Sequence, residues 1–123
     1  MATSLEGTVA LVSGAGSAIG MGRVIALALI RSGAKVAMMD IDETALNARI
    51  NEAHKIGGDG SAIPIIADHS EWDQAVRAVE TTLDRLGGLH VLVNLAGMHQ
   101  RTLLPRGVES VKFWELPTAV WTR

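Results

Sequence analysis

Ser13-Gly14-Ala15-Gly16-Ser17-Ala18-Ile19-Gly20 is the stretch that decides the fold. The run before it, Thr8 to Ser13, is apolar and reads as a buried strand. The segment after it, Val24 to Ile30, is rich in Ala and Leu and reads as a helix. A glycine-rich turn between a strand and a helix lets a ligand approach the backbone. It also aims the free N–H groups of the helix start at an anion, and the pyrophosphate of a dinucleotide suits that place. No Gly-Lys-Ser/Thr follows the turn, which excludes a P-loop.

Working outward, strands and helices alternate. Helix one starts near Gly20 or Gly22 and stops at Gly33. Lys35 to Asp40 is strand two. Asp42 is placed to cap helix two, whose apolar positions Leu46, Ile50 and Ala53 share one face. The Gly57-Gly58-Asp59-Gly60 cluster ends it, and Ser61 to Ala67 is strand three. Ser70 and Asp73 have the spacing of a capping box for helix three, with an apolar stripe at Trp72, Ala75, Val76, Val79, Leu83 and Leu86. Gly87-Gly88 ends that helix, and His90 to Leu95 is strand four. The strands are continuous apolar runs, the mark of parallel strands covered on both faces. The expected fold is therefore α/β: a Rossmann-like, doubly wound parallel sheet, incomplete, with about four strands and three to four helices.

The expected organisation is a dinucleotide-binding half-domain over residues 1–97, then a loop and the start of a helix over residues 98–123. The second segment holds Pro105, Gly107 and Pro117 and has no clear period. A helix beginning in Trp114 to Arg123 has no cap at its end, so the chain reads as stopping in mid-fold. Strand four, apolar on both faces, would then lie at a sheet edge. That leaves self-association through the edge open.

The 123 residues make at most one domain, and 48% hydrophobic content against 20% charged is enough for a substantial core. A net charge of −2 with one Phe, three Trp and no Tyr gives neither a basic patch nor a stacking surface, which argues against nucleic acid. Without Cys there is no disulfide, thiolate nucleophile or Cys-based metal site. No apolar run is long enough to span a membrane, and Met1 to Gly7 lacks a basic leader, so a cytoplasmic location is expected.

Three further positions bear on chemistry. Asp40 ends strand two, 20 residues beyond Gly20, where a carboxylate accepts hydrogen bonds from an adenosine ribose and repels a 2′-phosphate. NAD is thus expected over NADP. Asp68 follows strand three at the same sheet edge, where an adenine would lie. Asn94-Leu95-Ala96-Gly97 closes strand four beside the point where the strand order reverses; its small residues admit a ribose and its Asn amide could tie neighbouring strands. His54, His69, His90 and His99 have no metal-like spacing and are expected at the surface or in loops. Plainer readings of these positions remain: a tight turn, a solvated strand-end Asp, and a strand ending in a glycine turn.

Together these residues resemble the short-chain dehydrogenase/reductase family, with motif Thr-Gly-x-x-x-Gly-x-Gly. Ser13 stands for the Thr, and Ala18 for the middle Gly. In a second register, Gly20-Met21-Gly22-Arg23 supplies the Gly-x-Gly-Arg after a loop two residues longer; the sequence leaves both open. Asp40, Asp68 and the Asn-x-Ala-Gly of 94–97 fall where the family has them, with Leu95 in place of its commonest second Asn. The resemblance covers residues 5 to about 97 well, and Phe113 to Pro117 and Trp121 to Arg123 loosely. It implies an NAD site formed by Gly14, Ser17, Ile19, Gly20, Asp40, Ile41, Asp68, Asn94, Ala96 and Gly97, and no metal.

The family's catalytic Asn, Ser and Tyr-x-x-x-Lys would follow Arg123, so no catalytic residue is expected here, and a chain without Tyr has no phenol to donate the proton. The resemblance implies the NAD(H)-binding portion of an oxidoreductase that, when complete, moves hydride between nicotinamide and a small carbonyl or alcohol substrate. The alternative is a nucleotide-binding module without chemistry. A methyltransferase is disfavoured by Ser13, because an acidic residue usually opens that glycine motif. A bulky residue at Gly14 is expected to block the cofactor while sparing the sheet.

Overall fold

The computed structural model describes residues 4–97, 107 and 111–121. In chain order the elements are β1 (Val9–Ser13), α1 (Met21–Arg31), β2 (Lys35–Asp40), α2 (Glu43–Gly57), β3 (Ala62–Ile66), α3 (Trp72–Leu86) and β4 (Val91–Asn94). A 3₁₀ turn, Phe113–Glu115, and a short helix α4 (Thr118–Trp121) follow. The strands form one parallel sheet in the order β3-β2-β1-β4. The chain moves outward from β1 to β3, then returns to lay β4 on the other side of β1. The crevice at that reversal opens at the carboxyl ends of β1 and β4.

Alternate residues of the central strands supply two cores. Ala10, Val12, Val36 and Met38 face α1 and α2, where they meet Ala26, Leu27, Ile30, Leu46, Ile50 and Ala53. Leu11, Ala37 and Met39 face the other way, and with Ile63, Ile65 and Ala67 they meet Ala78 of α3. Each Val, Leu, Ile or Met among them contributes about 1.5–3 kcal/mol when fully buried, each Ala less. Both faces are covered, which is why β1 and β2 are apolar at every interior position rather than at alternate ones.

The helix ends follow local chemistry. Gly33 takes φ 99 just past α1, and its N–H donates to the Ile30 carbonyl. Asp42 caps α2 as expected, its carboxylate accepting from the Ala45 N–H at 2.9 Å. The capping box expected for α3 does not form. Glu71 occupies the cap position with no side-chain bond, because the Ser70 hydroxyl donates instead to Asp68 Oδ1 at 2.6 Å. The apolar stripe of α3 is also displaced. Ala78 and Thr82 are buried, while Trp72 (80% exposed), Val79 and Leu83 stand in solvent. Thr82 tolerates burial because its hydroxyl donates to the Ala78 carbonyl at 2.7 Å. At the outer edge of the sheet, Leu92 of β4 is exposed.

Two histidines expected to be ordinary surface groups hold backbone. His54 Nε2 lies 2.9 Å from the Ala62 carbonyl, joining α2 to β3. His90 Nδ1 accepts from the Val9 N–H at 2.9 Å, while the His90 N–H donates to the Val9 carbonyl. His99 and Pro105 lie outside the described residues, as do Thr122 and Arg123 of the expected terminal helix.

Candidate cofactor site

The candidate residues converge at the carboxyl ends of the strands. β1 ends at Ser13, and Gly14 then takes φ 69, a backbone conformation that favours glycine. A Cβ at Gly14 would lie 2.8 Å from the Ala96 nitrogen and 2.9 Å from its Cα. The turn after β1 and the turn after β4 are therefore in backbone contact. A bulky residue at Gly14 would push β4 off β1, so the sheet would not be spared, contrary to the sequence-based expectation.

The same geometry decides between the two glycine registers. Gly22 sits in the first turn of α1, where a Cβ would come 2.3 Å from the Gly14 oxygen and 2.8 Å from its carbonyl carbon. Gly20 precedes the helix with φ −83 and ψ 158, angles open to any residue, and a Cβ there would meet only Ser17, its Cβ at 3.0 Å and its carbonyl oxygen at 3.8 Å. Gly22 is thus the glycine that lets α1 pack on β1, which selects the longer-loop register. The set inferred from sequence left Gly22 out.

Ser13, not Asn94, ties the strand ends. Its hydroxyl is 1% exposed, accepts from the Leu95 and Ala96 N–H groups at 3.1 and 3.2 Å, and donates to the Val93 carbonyl at 3.4 Å. Asn94 pairs with Ser13 through the strand register and leaves its side chain exposed.

These turns enclose a cleft of about 830 Å³. Of the ten residues inferred from sequence, Gly14, Ser17, Gly20, Asp40, Ile41, Asp68, Ala96 and Gly97 line it. Ile19 is 98% exposed and, like Asn94, is not part of the lining. Met21, Gly22, Met39, Ala67, His69, Ser70, Glu71 and Leu95 complete the wall. All but Ser70 and Glu71, which lead into α3, lie within three residues of a strand end or beside the glycine turn, and that adjacency is the signal by which the sequence could have disclosed them. The volume falls within the roughly 300–1,000 Å³ of small-molecule sites.

α1 begins at the cleft wall, where Gly20, Met21 and Gly22 line it, with no side-chain cap and no acidic residue in its first turn, so no side chain of the helix start offsets the positive end of its dipole. The lining also carries the carboxylates of Asp40, which borders the glycine turn, and of Asp68 and Glu71 beyond β3. Asp40 Oδ2 accepts from the Gly16 N–H at 2.8 Å and Oδ1 from the Asp42 N–H at 3.1 Å. The Ser70 hydroxyl, and then the Ser70 N–H at 2.9 Å, hold the Asp68 carboxyl below its ordinary range, with His69 adding to the effect. Arg23, the cation nearest in sequence to the turn, is committed elsewhere. Its Nε donates to Glu52 Oε2 at 2.9 Å on α2, and a second contact joins the same groups. That bond raises the Arg23 pKa and lowers that of Glu52. No Lys or Arg is part of the lining. Such a cleft can take an anion at the helix start and hydroxyl groups at Asp40. Among the described residues no group of three or more His, Asp and Glu could hold a metal, and no helix is long and apolar enough to cross a membrane.

The short chain dehydrogenase family matches this chain over residues 8–121. The chain belongs to that family. Human dehydrogenase/reductase SDR family member 1 (Homo sapiens) is 35% identical over 123 residues, 98% of this chain and 37% of that protein. Among solved structures, 7α-hydroxysteroid dehydrogenase complexed with NADH and 7-oxo glycochenodeoxycholic acid superposes with a TM-score of 0.78 at 28% identity. It covers 98% of this chain and 42% of its own. L-Sorbose reductase from Gluconobacter frateurii, complexed with NADPH and L-sorbose, gives 0.80 at 21% identity over 99% of this chain and 42% of its own, a likeness of fold alone. The chain spans about two-fifths of the length of these relatives. Its parallel sheet is that of a short-chain dehydrogenase, and it carries the portion of that fold that binds a nicotinamide cofactor.

Proposed function

We propose that the cleft binds NAD(H) in preference to NADP(H), and that the chain supplies the cofactor half of hydride transfer between nicotinamide and a small carbonyl or alcohol. The observation that carries this reading is the make-up of the cleft: a helix start with no side-chain cap, a carboxylate at Asp40 beside the glycine turn, and no Lys or Arg among the lining residues. The close approach of Gly14 to Ala96 and of Gly22 to Gly14 draws the turn after β1, the turn after β4 and the start of α1 together in the wall of the cleft, and the cleft's volume fits a nucleotide. In this reading Gly14, Ser17, Gly20 and Gly22 hold the pyrophosphate. Asp40 and Ile41 meet the adenosine ribose, Asp68 the adenine, and Ala96 and Gly97 the nicotinamide ribose. Ile19 and Asn94 stay outside the contact set. The bound cofactor supplies the hydride, while the chain orients it and has no Tyr to supply a proton. Residues 1–97 form the binding unit. Family membership favours this reading over a module without chemistry.

A 2′-phosphate within about 4 Å of Asp40 would be repelled by several kcal/mol at an effective dielectric near 20. The test is calorimetric titration of the chain with NADH and NADPH at low salt. NADH is expected to bind at least about tenfold tighter, about 1.4 kcal/mol. Tighter binding of NADPH, or no binding of either, overturns the proposal.

A further inference from the structure

The glycine turn in this chain holds five residues between Gly14 and Gly20, two more than the three of the family motif, once Gly22 is identified as the packing glycine. A longer loop has more conformations to lose when it closes on a ligand. One side chain from outside the turn restrains its middle: Asp40 Oδ2 accepts from the Gly16 N–H at 2.8 Å. The approach is close enough to dictate the residue at 16. A Cβ there would lie 2.9 Å from the Asp40 carboxyl carbon and 2.9 Å from Oδ2. The carboxylate is itself held, because Oδ1 accepts from the Asp42 N–H, the Asp40 carbonyl accepts from the Ala67 N–H, and Met39, one residue earlier, accepts from the Ala15 N–H. Asp40 therefore bridges the turn after β1 and the start of α2.

We propose that Asp40 is a positioning residue for the glycine-rich turn as well as the group that selects the cofactor, so that the two roles can be separated by substitution. This rests on the NAD(H) reading only for the selection. A carboxylate offers about four lone-pair sites, and the two N–H groups use two. Two remain for ribose hydroxyls, so one side chain can hold the turn and meet the cofactor together. Asparagine at 40 keeps an acceptor oxygen for Gly16 and loses the charge; alanine loses both.

The test compares the intact chain with Asp40→Asn and Asp40→Ala. The first readout is amide hydrogen exchange without cofactor. Gly16 is expected to exchange about tenfold faster in Asp40→Ala and no more than about threefold faster in Asp40→Asn, with Val12 in the sheet unchanged. The second is titration with NADH and NADPH. Asp40→Asn should weaken NADH by less than Asp40→Ala does and gain affinity for NADPH, whereas Asp40→Ala should lose about tenfold toward both. Equal Gly16 exchange in all three chains overturns the proposal, as does an Asp40→Ala chain that binds NADPH as tightly as Asp40→Asn does. The expected exchange pattern in a chain that binds neither cofactor would support the positioning role and overturn the NAD(H) reading instead.

Discussion

Replacing Gly22 with alanine should weaken the fold and the cofactor site together, although alanine is the better helix former. The propensity gain for Gly to Ala inside a helix is about 1 kcal/mol and is smaller in the first turn. Against it stands a Cβ placed 2.3 Å from the Gly14 oxygen and 3.0 Å from the Ala15 Cα, both backbone. No rotamer relieves this clash. To regain ordinary contact at 3.4 Å, the start of α1 must withdraw from the end of β1 by about 1 Å. Overpacking of that kind costs about 1–3 kcal/mol, and a rigid backbone partner puts the cost toward the upper end. The net loss is about 1–2 kcal/mol, or roughly 5–10 °C in melting temperature for a chain of this size. The same withdrawal carries the helix N–H groups away from the pyrophosphate position, so NADH affinity should fall by at least about tenfold. Gly20→Ala is the control: its Cβ meets only Ser17, with the Ser17 Cβ at 3.0 Å rather than a backbone atom below 3 Å, and the melt should shift by less than about 1 kcal/mol. Thermal melts followed by circular dichroism and NADH titration measure both variants. A Gly20→Ala chain that loses as much as Gly22→Ala, or a stabilised Gly22→Ala chain, would refute the assignment of Gly22 as the packing glycine.

Gly14→Val combines a φ of 69 with a Cβ 2.8 Å from the Ala96 nitrogen, so it should lower the melting point of the whole chain and not only cofactor affinity; an unchanged melt counts against the β1–β4 contact. Ser13→Ala strips the acceptor from the Leu95 and Ala96 N–H groups and should cost about 1–3 kcal/mol in urea unfolding, with those two amides losing exchange protection first. The Glu52 carboxyl is held below its ordinary 4.5 by Arg23, so its contribution is present above pH 4.5 and is lost as the pH falls through the lower folded value. Glu52→Gln should therefore flatten the fall in melting temperature between about pH 5 and pH 3, and a variant whose acid limb matches the parent would show that the pair adds nothing to stability.

The order and type of every element up to β4 were legible because each rests on local chemistry: a glycine past α1, an Asp cap on α2, and apolar runs for strands covered on both faces. The α3 reading went astray at both ends of its logic. The expected cap was lost because Ser70 had a nearer acceptor in Asp68, a competition that spacing alone does not rank. The expected stripe was correctly read as apolar, but burial depends on what lies across from it. Leu92 is the register partner of Leu11, so it faces the α3 side of the sheet, and it is exposed there as Val79 and Leu83 are. Among the described residues nothing covers this part of the face, so periodicity identified a surface fit for burial without its cover.

The candidate site divides along the same line. Residues whose place in the cleft wall follows from backbone position were named from sequence: Gly14 by its turn, Asp40 and Asp68 by following strand ends, and Ala96 and Gly97 by closing β4 at the reversal point. What escaped was set by atoms brought from elsewhere in the chain. Gly22 is distinguished from Gly20 by the Gly14 oxygen beneath it, the strand tie belongs to Ser13 because its hydroxyl reaches two N–H groups past β4, and a side chain at Gly16 would displace the Asp40 carboxylate beside it. Each of these three is a contact between the first turn and another strand end. The turn is therefore not a free loop that a ligand organises. It is held by α1 behind, β4 on one side and Asp40 on the other, so the conformational cost of forming an anion site has been met before any ligand arrives. The two residues that make the turn longer than the family motif thus lie between fixed ends, with Gly16 at its middle tied to Asp40.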